Sequence, residues 1–113
     1  MLLSADKSQL SRYVSGVILN HETVYQKTSE GNEFVDYLRD RNIIPGVKVD
    51  KGTVCLFGTE NESTTEGLDS LQERCIQYKR DGCHFANWRC TYKLSDRLPS
   101  KLAILDNANV LAR

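Results

Sequence analysis

Three short β-rich runs, each separated from the next by a stretch with helical spacing, constrain this chain more than any other feature. The first is Gly16-Val17-Ile18-Leu19, bounded by Ser15 and Asn20. The second is Ile43-Ile44-Pro45-Gly46-Val47-Lys48-Val49-Asp50. Its proline cannot donate to a ladder, so regular strand is expected only from Gly46 onward. The third runs from Cys83 to Cys90. Strands separated by helices run parallel through right-handed crossovers, with the helices covering the sheet. The expected class is therefore α/β, in the order βαβαβα.

The intervening stretches fill in that order. Glu22 to Glu33 is polar and reads as a loop leading into a short helix with Phe34, Tyr37 and Leu38 on one face. The strongest helical signal starts at Ser63, where Glu66 would complete a capping box, and ends at Gly82 behind Lys79 and Arg80. Leu68, Leu71, Cys75 and Tyr78 would share one face of it. Pro99-Ser100 opens a last helix with Leu102, Leu105, Ala108 and Ala112 on the inner side. An open sheet of only three parallel strands leaves unpaired edges and little core, and the last helix reaches Arg113 without a stop signal. The expectation is one incomplete domain over residues 1–113, cut from a larger α/β domain.

Charge narrows the choice of partner. Fifteen Lys and Arg balance fifteen Asp and Glu, so the chain lacks the global positive field that nucleic acid or anionic lipid requires. No apolar run approaches the roughly 18 residues of a membrane span. The start, Met1 to Lys7, has no basic region followed by an apolar stretch, so secretion is not expected. The four cysteines, at 55, 75, 83 and 90, form no CxxC pair. They read as reduced thiols of a cytoplasmic protein, not as a zinc site or a disulfide frame.

Alternation within the strands points to where chemistry would lie. Val47 and Val49 share one side of the second run, with Gly46, Lys48 and Asp50 on the other. In the third, Phe85, Asn87 and Arg89 oppose His84, Ala86, Trp88 and Cys90. If the polar sides coincide, Lys48, Asp50, Asn87 and Arg89 converge near the carboxyl ends of parallel strands, where α/β folds bind ligands. Two cations, a carboxylate and an amide suit an anionic, hydroxylated small molecule, Arg89 offering a fork to carboxylate or phosphate. An internal ion pair of Asp50 with Lys48 or Arg89 is the alternative. His21-Glu22 lacks the second histidine of a zinc-protease pair, since Tyr25 stands there, and reads as loop polarity. Gly52, Gly58 and Gly67 are not followed by the Lys-Ser or Lys-Thr of a phosphate loop. Thr53, Thr59, Thr64 and Thr65 read as turn and cap residues, and Trp88 as packing.

Gly46-Val47-Lys48-Val49-Asp50-Lys51-Gly52 and Phe85-Ala86-Asn87-Trp88-Arg89-Cys90, with SGVILNHETVYQK from Ser15, TEGLDSLQERCIQYKRDG from Thr65 and PSKLAILDNANVLAR from Pro99, resemble class I fructose-bisphosphate aldolase. The resemblance follows the family's own order over about nine-tenths of the chain. It implies part of an eight-stranded (β/α) TIM barrel, about three βα units of eight, from the second to the fourth strand. The family activity is the glycolytic, reversible cleavage of fructose 1,6-bisphosphate to dihydroxyacetone phosphate and glyceraldehyde 3-phosphate, through a Schiff base on a lysine and without metal or other cofactor.

By position, the resemblance assigns Lys48 and Arg89 to substrate phosphate and hydroxyls, with Asp50 as an orienting carboxylate. The Schiff-base lysine and proton-shuttling glutamates fall beyond Arg113, and an acidic residue of the first strand before Met1, so the chain alone is expected to be inactive. Asn87 stands where the family carries an active-site lysine, a loss of positioned charge that costs about two to four kcal/mol of transition-state stabilisation. Asn20 stands where the family buries an aromatic residue. The implied partners are a sugar phosphate, copies of the chain in a homotetramer, and cytoskeletal proteins. A catalytically dead aldolase-like scaffold, supported by Asn87, and a small phosphate-binding α/β module are the competing readings.

Overall fold

The computed structural model describes residues 10–113. The Met1 to Lys7 stretch read for a targeting signal lies outside these residues. The elements in chain order are β1 (Gly16–Leu19), α1 (His21–Val24), α2 (Phe34–Arg39), β2 (Ile44–Lys48), β3 (Gly52–Cys55), β4 (Ser63–Glu66), α3 (Leu71–Arg80), β5 (Phe85–Asn87) and α4 (Lys101–Leu111). They fall into two compact units. One comprises residues through Val49 together with Gln72–Asn87, and the other Asp50–Leu71 with Trp88–Arg113.

The first unit holds a parallel sheet in the order β1-β2-β5. Gly16 to Leu19 lie opposite Ile44 to Val47, and Gly46, Val47 and Lys48 opposite Phe85, Ala86 and Asn87. Register partners point to the same side of a sheet, so Leu19 and Val47 share the covered face. With Val24, Val35, Leu38, Ile43, Tyr78 and Cys83 they are buried. The opposite face carries Ile18, Ile44 and Phe85, all more than a third exposed. The strand in the second run starts at Ile44, before the expected Gly46, and contains Pro45. The β5 ladder begins only opposite Gly46, while the Pro45 carbonyl still accepts from His84 N at 2.8 Å. The third strand is confined to Phe85–Asn87, shorter than the Cys83 to Cys90 run.

The polar stretch from Glu22 to Glu33 is not a plain loop. Thr23 N and Val24 N donate to the Asn20 carbonyl to start α1, which buries Val24, and Lys27 and Glu33 form an isolated antiparallel bridge. Asn20 is exposed, so it buries no polar group. In α2 the core contacts come from Val35 and Leu38; Phe34 and Tyr37 are half-buried. The α3 helix ends in a left-handed residue, Gly82 at φ 96°. Gly82 N donates to Lys79 O and Cys83 N to Tyr78 O, a paired closure that satisfies the last carbonyls and returns the chain toward β5.

The second unit departs most from expectation. Ser63 does not cap a helix: Ser63–Glu66 is a strand, paired antiparallel with Gly52–Cys55 from Cys55↔Ser63 to Gly52↔Glu66. Consecutive β-branched Thr64 and Thr65 favour the pleated chain, and the left-handed backbone at Gly67 (φ 121°) and Ser70 (φ 51°) delays the helix to Leu71. Thr53, Thr64 and Thr65 are thus strand residues. Thr59 is a turn residue as read, its hydroxyl donating to Leu56 O at 2.7 Å. The α4 helix starts where Pro99-Ser100 predicts, with Ser100 Oγ accepting from Ala103 N at 3.1 Å. Its buried side chains are Ala103 and Asn107, while Leu102 and Leu105 are exposed. The reason is polar: Asn107 Nδ2 donates to Ser63 O at 3.0 Å and Ala103 O at 2.9 Å, which turns that face inward.

Candidate functional site

Lys48 ends β2 and Asn87 ends β5, and the two are register partners at the carboxyl ends of neighbouring parallel strands. The alternation expected from the sequence therefore holds for this pair: Gly46, Lys48, Phe85 and Asn87 share a face. Two features fix that arrangement. Val49 N donates to Asn87 O at 3.0 Å, carrying the ladder one bond beyond the paired residues. The Phe85 ring also lies across the glycines of the adjoining strands, where a β-carbon on Gly46 would run into the ring edge and one on Gly16 would stand 3.1 Å from Phe85 Cε1. Glycine at 46 is thus required by close approach of an aromatic ring. From α3, Arg74 Nη1 donates to Val49 O at 2.8 Å and holds the exit of β2.

Asp50 and Arg89 are not strand residues. Each lies two positions past the last residue of its strand and belongs to the second unit. Asp50 is 9% exposed, Oδ1 accepting from Gly52 N at 3.1 Å and Oδ2 from Arg89 N at 3.4 Å. Its carboxylate thus closes a turn onto Gly52 and touches the backbone of Arg89. The Arg89 carbonyl accepts from Thr65 Oγ1 at 2.8 Å, and the Arg89 side chain is exposed. Ser63 Oγ and Thr91 Oγ1 meet at 3.0 Å. Thr65 escaped the sequence reading because the expected helix over 63–82 hid the period-two spacing of Ser63 and Thr65, matched by Arg89 and Thr91.

A second polar cluster lies within the first unit. His21 Nδ1 is 2.8 Å from the Tyr78 hydroxyl, and Tyr25 donates to Asp81 Oδ2 at 2.7 Å. The His21 ring meets Tyr25 and Tyr78 edge-on. His21 is therefore tied to α3 and is more than loop polarity. Burial, and then the Asp81 carboxylate that accepts its proton, push the Tyr25 phenol up from 10.0 to about 12. Burial, with Asp81 nearby, also pushes the Cys83 thiol up, an unreactive setting. All four cysteines are free. Among the described residues no three His, Cys, Asp or Glu side chains are placed to hold a metal ion, and no helix is long and apolar enough to cross a membrane.

Comparison with known proteins locates these residues in a family. The family described as glycolytic, fructose-bisphosphate aldolase class-I, matches residues 1–113. Fructose-bisphosphate aldolase of Echinococcus multilocularis is 57% identical over 112 residues, covering 99% of this chain and 31% of that protein. Fructose-bisphosphate aldolase C of Mus musculus is 58% identical over 113 residues, with 100% and 31% covered. Among solved structures, a ternary complex of the Plasmodium falciparum aldolase with TRAP and a small-molecule inhibitor has a TM-score of 0.89 at 42% identity, over 94% of this chain and 31% of that one. The chain spans about a third of the length of the relatives it matches.

Proposed function

The chain belongs to the class I fructose-bisphosphate aldolase family, and on that premise we propose that it is a substrate-binding segment of a glycolytic aldolase, spanning the second to fourth strands of a TIM barrel. The reaction is reversible cleavage of fructose 1,6-bisphosphate to dihydroxyacetone phosphate and glyceraldehyde 3-phosphate through a lysine Schiff base. Lys48 and Arg89 bind phosphate and hydroxyl oxygens, Lys48 as a point charge and Arg89 as a planar fork. Asp50 orients this part of the site through the backbone of Arg89. The observation that carries the reading is the registered Lys48–Asn87 pair at the carboxyl ends of β2 and β5, where barrel enzymes place their chemistry.

On this reading the Schiff-base nucleophile and the proton-shuttling glutamates belong to other strands of the barrel, and the segment by itself is expected to be inactive. In the longer protein, cytoplasmic location, a homotetramer and docking of cytoskeletal proteins accompany this reading. The test is titration of the isotope-labelled chain with fructose 1,6-bisphosphate, followed by nuclear magnetic resonance. The expected result is saturable shifts at Lys48 and Arg89 with affinity weaker than micromolar, because a partial phosphate clamp is poorly preorganised. Shifts confined to other residues would overturn the assignment.

A further inference from the structure

We infer that Thr65 is a positioning residue for Arg89, fixing through the Arg89 carbonyl the backbone from which the guanidinium reaches a phosphate group. The inference rests on the reading of Arg89 as a phosphate ligand. Arg89 lies beyond β5, where no strand ladder restrains the chain. Side chains supply the restraint there, since the Arg89 carbonyl is held by Thr65 Oγ1 at 2.8 Å and its N–H by Asp50 Oδ2 at 3.4 Å. Two residues further, Thr91 meets Ser63 at 3.0 Å. Alternate residues of β4 thus brace alternate residues of the segment after β5, as a ladder made of hydroxyls.

Thr65 is suited to bear most of this restraint. It is 3% exposed, its bond is the shorter of the two to Arg89, and it sits opposite Thr53 within the β3–β4 pairing. A β-branched side chain has few χ1 choices in a strand, so the hydroxyl is aimed before the bond forms. The Arg89 side chain is exposed, and a long side chain carries its fork to a ligand only as accurately as its own backbone is placed. Loss of the hydroxyl would leave the Arg89 carbonyl without its partner and free the segment to shift.

The test uses inorganic phosphate as the probe, titrated into the labelled chain and read at the Arg89 backbone amide and side-chain Nε–H. In the unsubstituted chain these resonances should shift saturably. Thr65→Val keeps shape and strand preference but lacks the donor, and should weaken phosphate binding roughly five- to tenfold. Thr65→Ser restores the donor and should stay within about twofold of the unsubstituted chain. Equal affinity in Thr65→Val and the unsubstituted chain would overturn the positioning role while leaving the phosphate reading of Arg89 intact. No response at Arg89 in the unsubstituted chain would overturn that reading, and this role with it. Should Thr65→Val fail to fold, Thr65→Ala removes the same donor, with a loss of about fivefold or more relative to Thr65→Ser supporting the role and affinity within about twofold of Thr65→Ser overturning it.

Discussion

Tyr25 illustrates how a single side chain couples an exposed position to the fold. Its hydroxyl donates to Asp81 from the turn after α1, and the phenol is pushed up to about 12. The folded chain therefore holds this proton more tightly than the unfolded chain does. The stability contributed by the neutral phenol is intact below pH 10 and is lost as pH rises through about 12. Because Tyr25 is 48% exposed, solvent screens much of the effect, and the expected signature is a slope. Urea unfolding measured between pH 10 and about 12 should show stability falling with pH, and falling less steeply in Tyr25→Phe. Equal slopes would show that the Tyr25 phenol titrates alike in the folded and unfolded chain. At the site itself, Asn87 occupies its register place beside Lys48 but supplies an amide, so that neighbour adds no second positive charge.

Among the elements, α4 is the best example of a helix fixed at its start. Ser100 Oγ accepts from Ala103 N while Ser100 N donates to Glu62 Oε1 at 2.8 Å, with Glu62 only 3% exposed. The first turn is thus satisfied from both sides of its cap residue. Ser100→Ala removes the side-chain half and should lower stability by about 1 kcal/mol. Chemical denaturation would read this as a lower midpoint at unchanged slope. By contrast, the serine-led capping signal at Ser63 selected the wrong element. A capping box is a short-range pattern, whereas the four paired residues of β3 decide that Ser63–Glu66 extends.

At the scale of the whole molecule, each of the two units is built by its own means. The first buries apolar side chains against a parallel sheet; the second buries Asp50, Glu62, Thr65 and Asn107, and each of these side chains makes at least one hydrogen bond, Asn107 through Nδ2 and not Oδ1. Ile18, Ile44 and Phe85 remain exposed on the sheet face that also carries Lys48 and Asn87. On the proposed reading Lys48 holds substrate, and the imine forms on a lysine of another strand of the family's barrel. Borohydride treatment of the chain with dihydroxyacetone phosphate should therefore give no adduct by mass spectrometry, and no aldolase activity should be measurable. A stable adduct on Lys48 would refute the assignment of that residue to substrate binding alone.

The amino-acid sequence by itself determined the α/β class, β1 to the residue, the Ser100 start of α4 and the side of the sheet shared by Lys48 and Asn87. These follow from short-range rules: apolar runs, cap chemistry and the alternation of side chains along a strand. The family resemblance was equally legible, because it rests on residue order. Only the tertiary structure decided that residues 63–66 pair with residues 52–55, that Asn107 turns inward in place of Leu102 and Leu105, and that Thr65 reaches the carbonyl of Arg89. Each of these depends on a partner distant in the chain. Ser63 and Thr65 carry the same local signal in a cap or a strand, and only the groups brought opposite them select between the two.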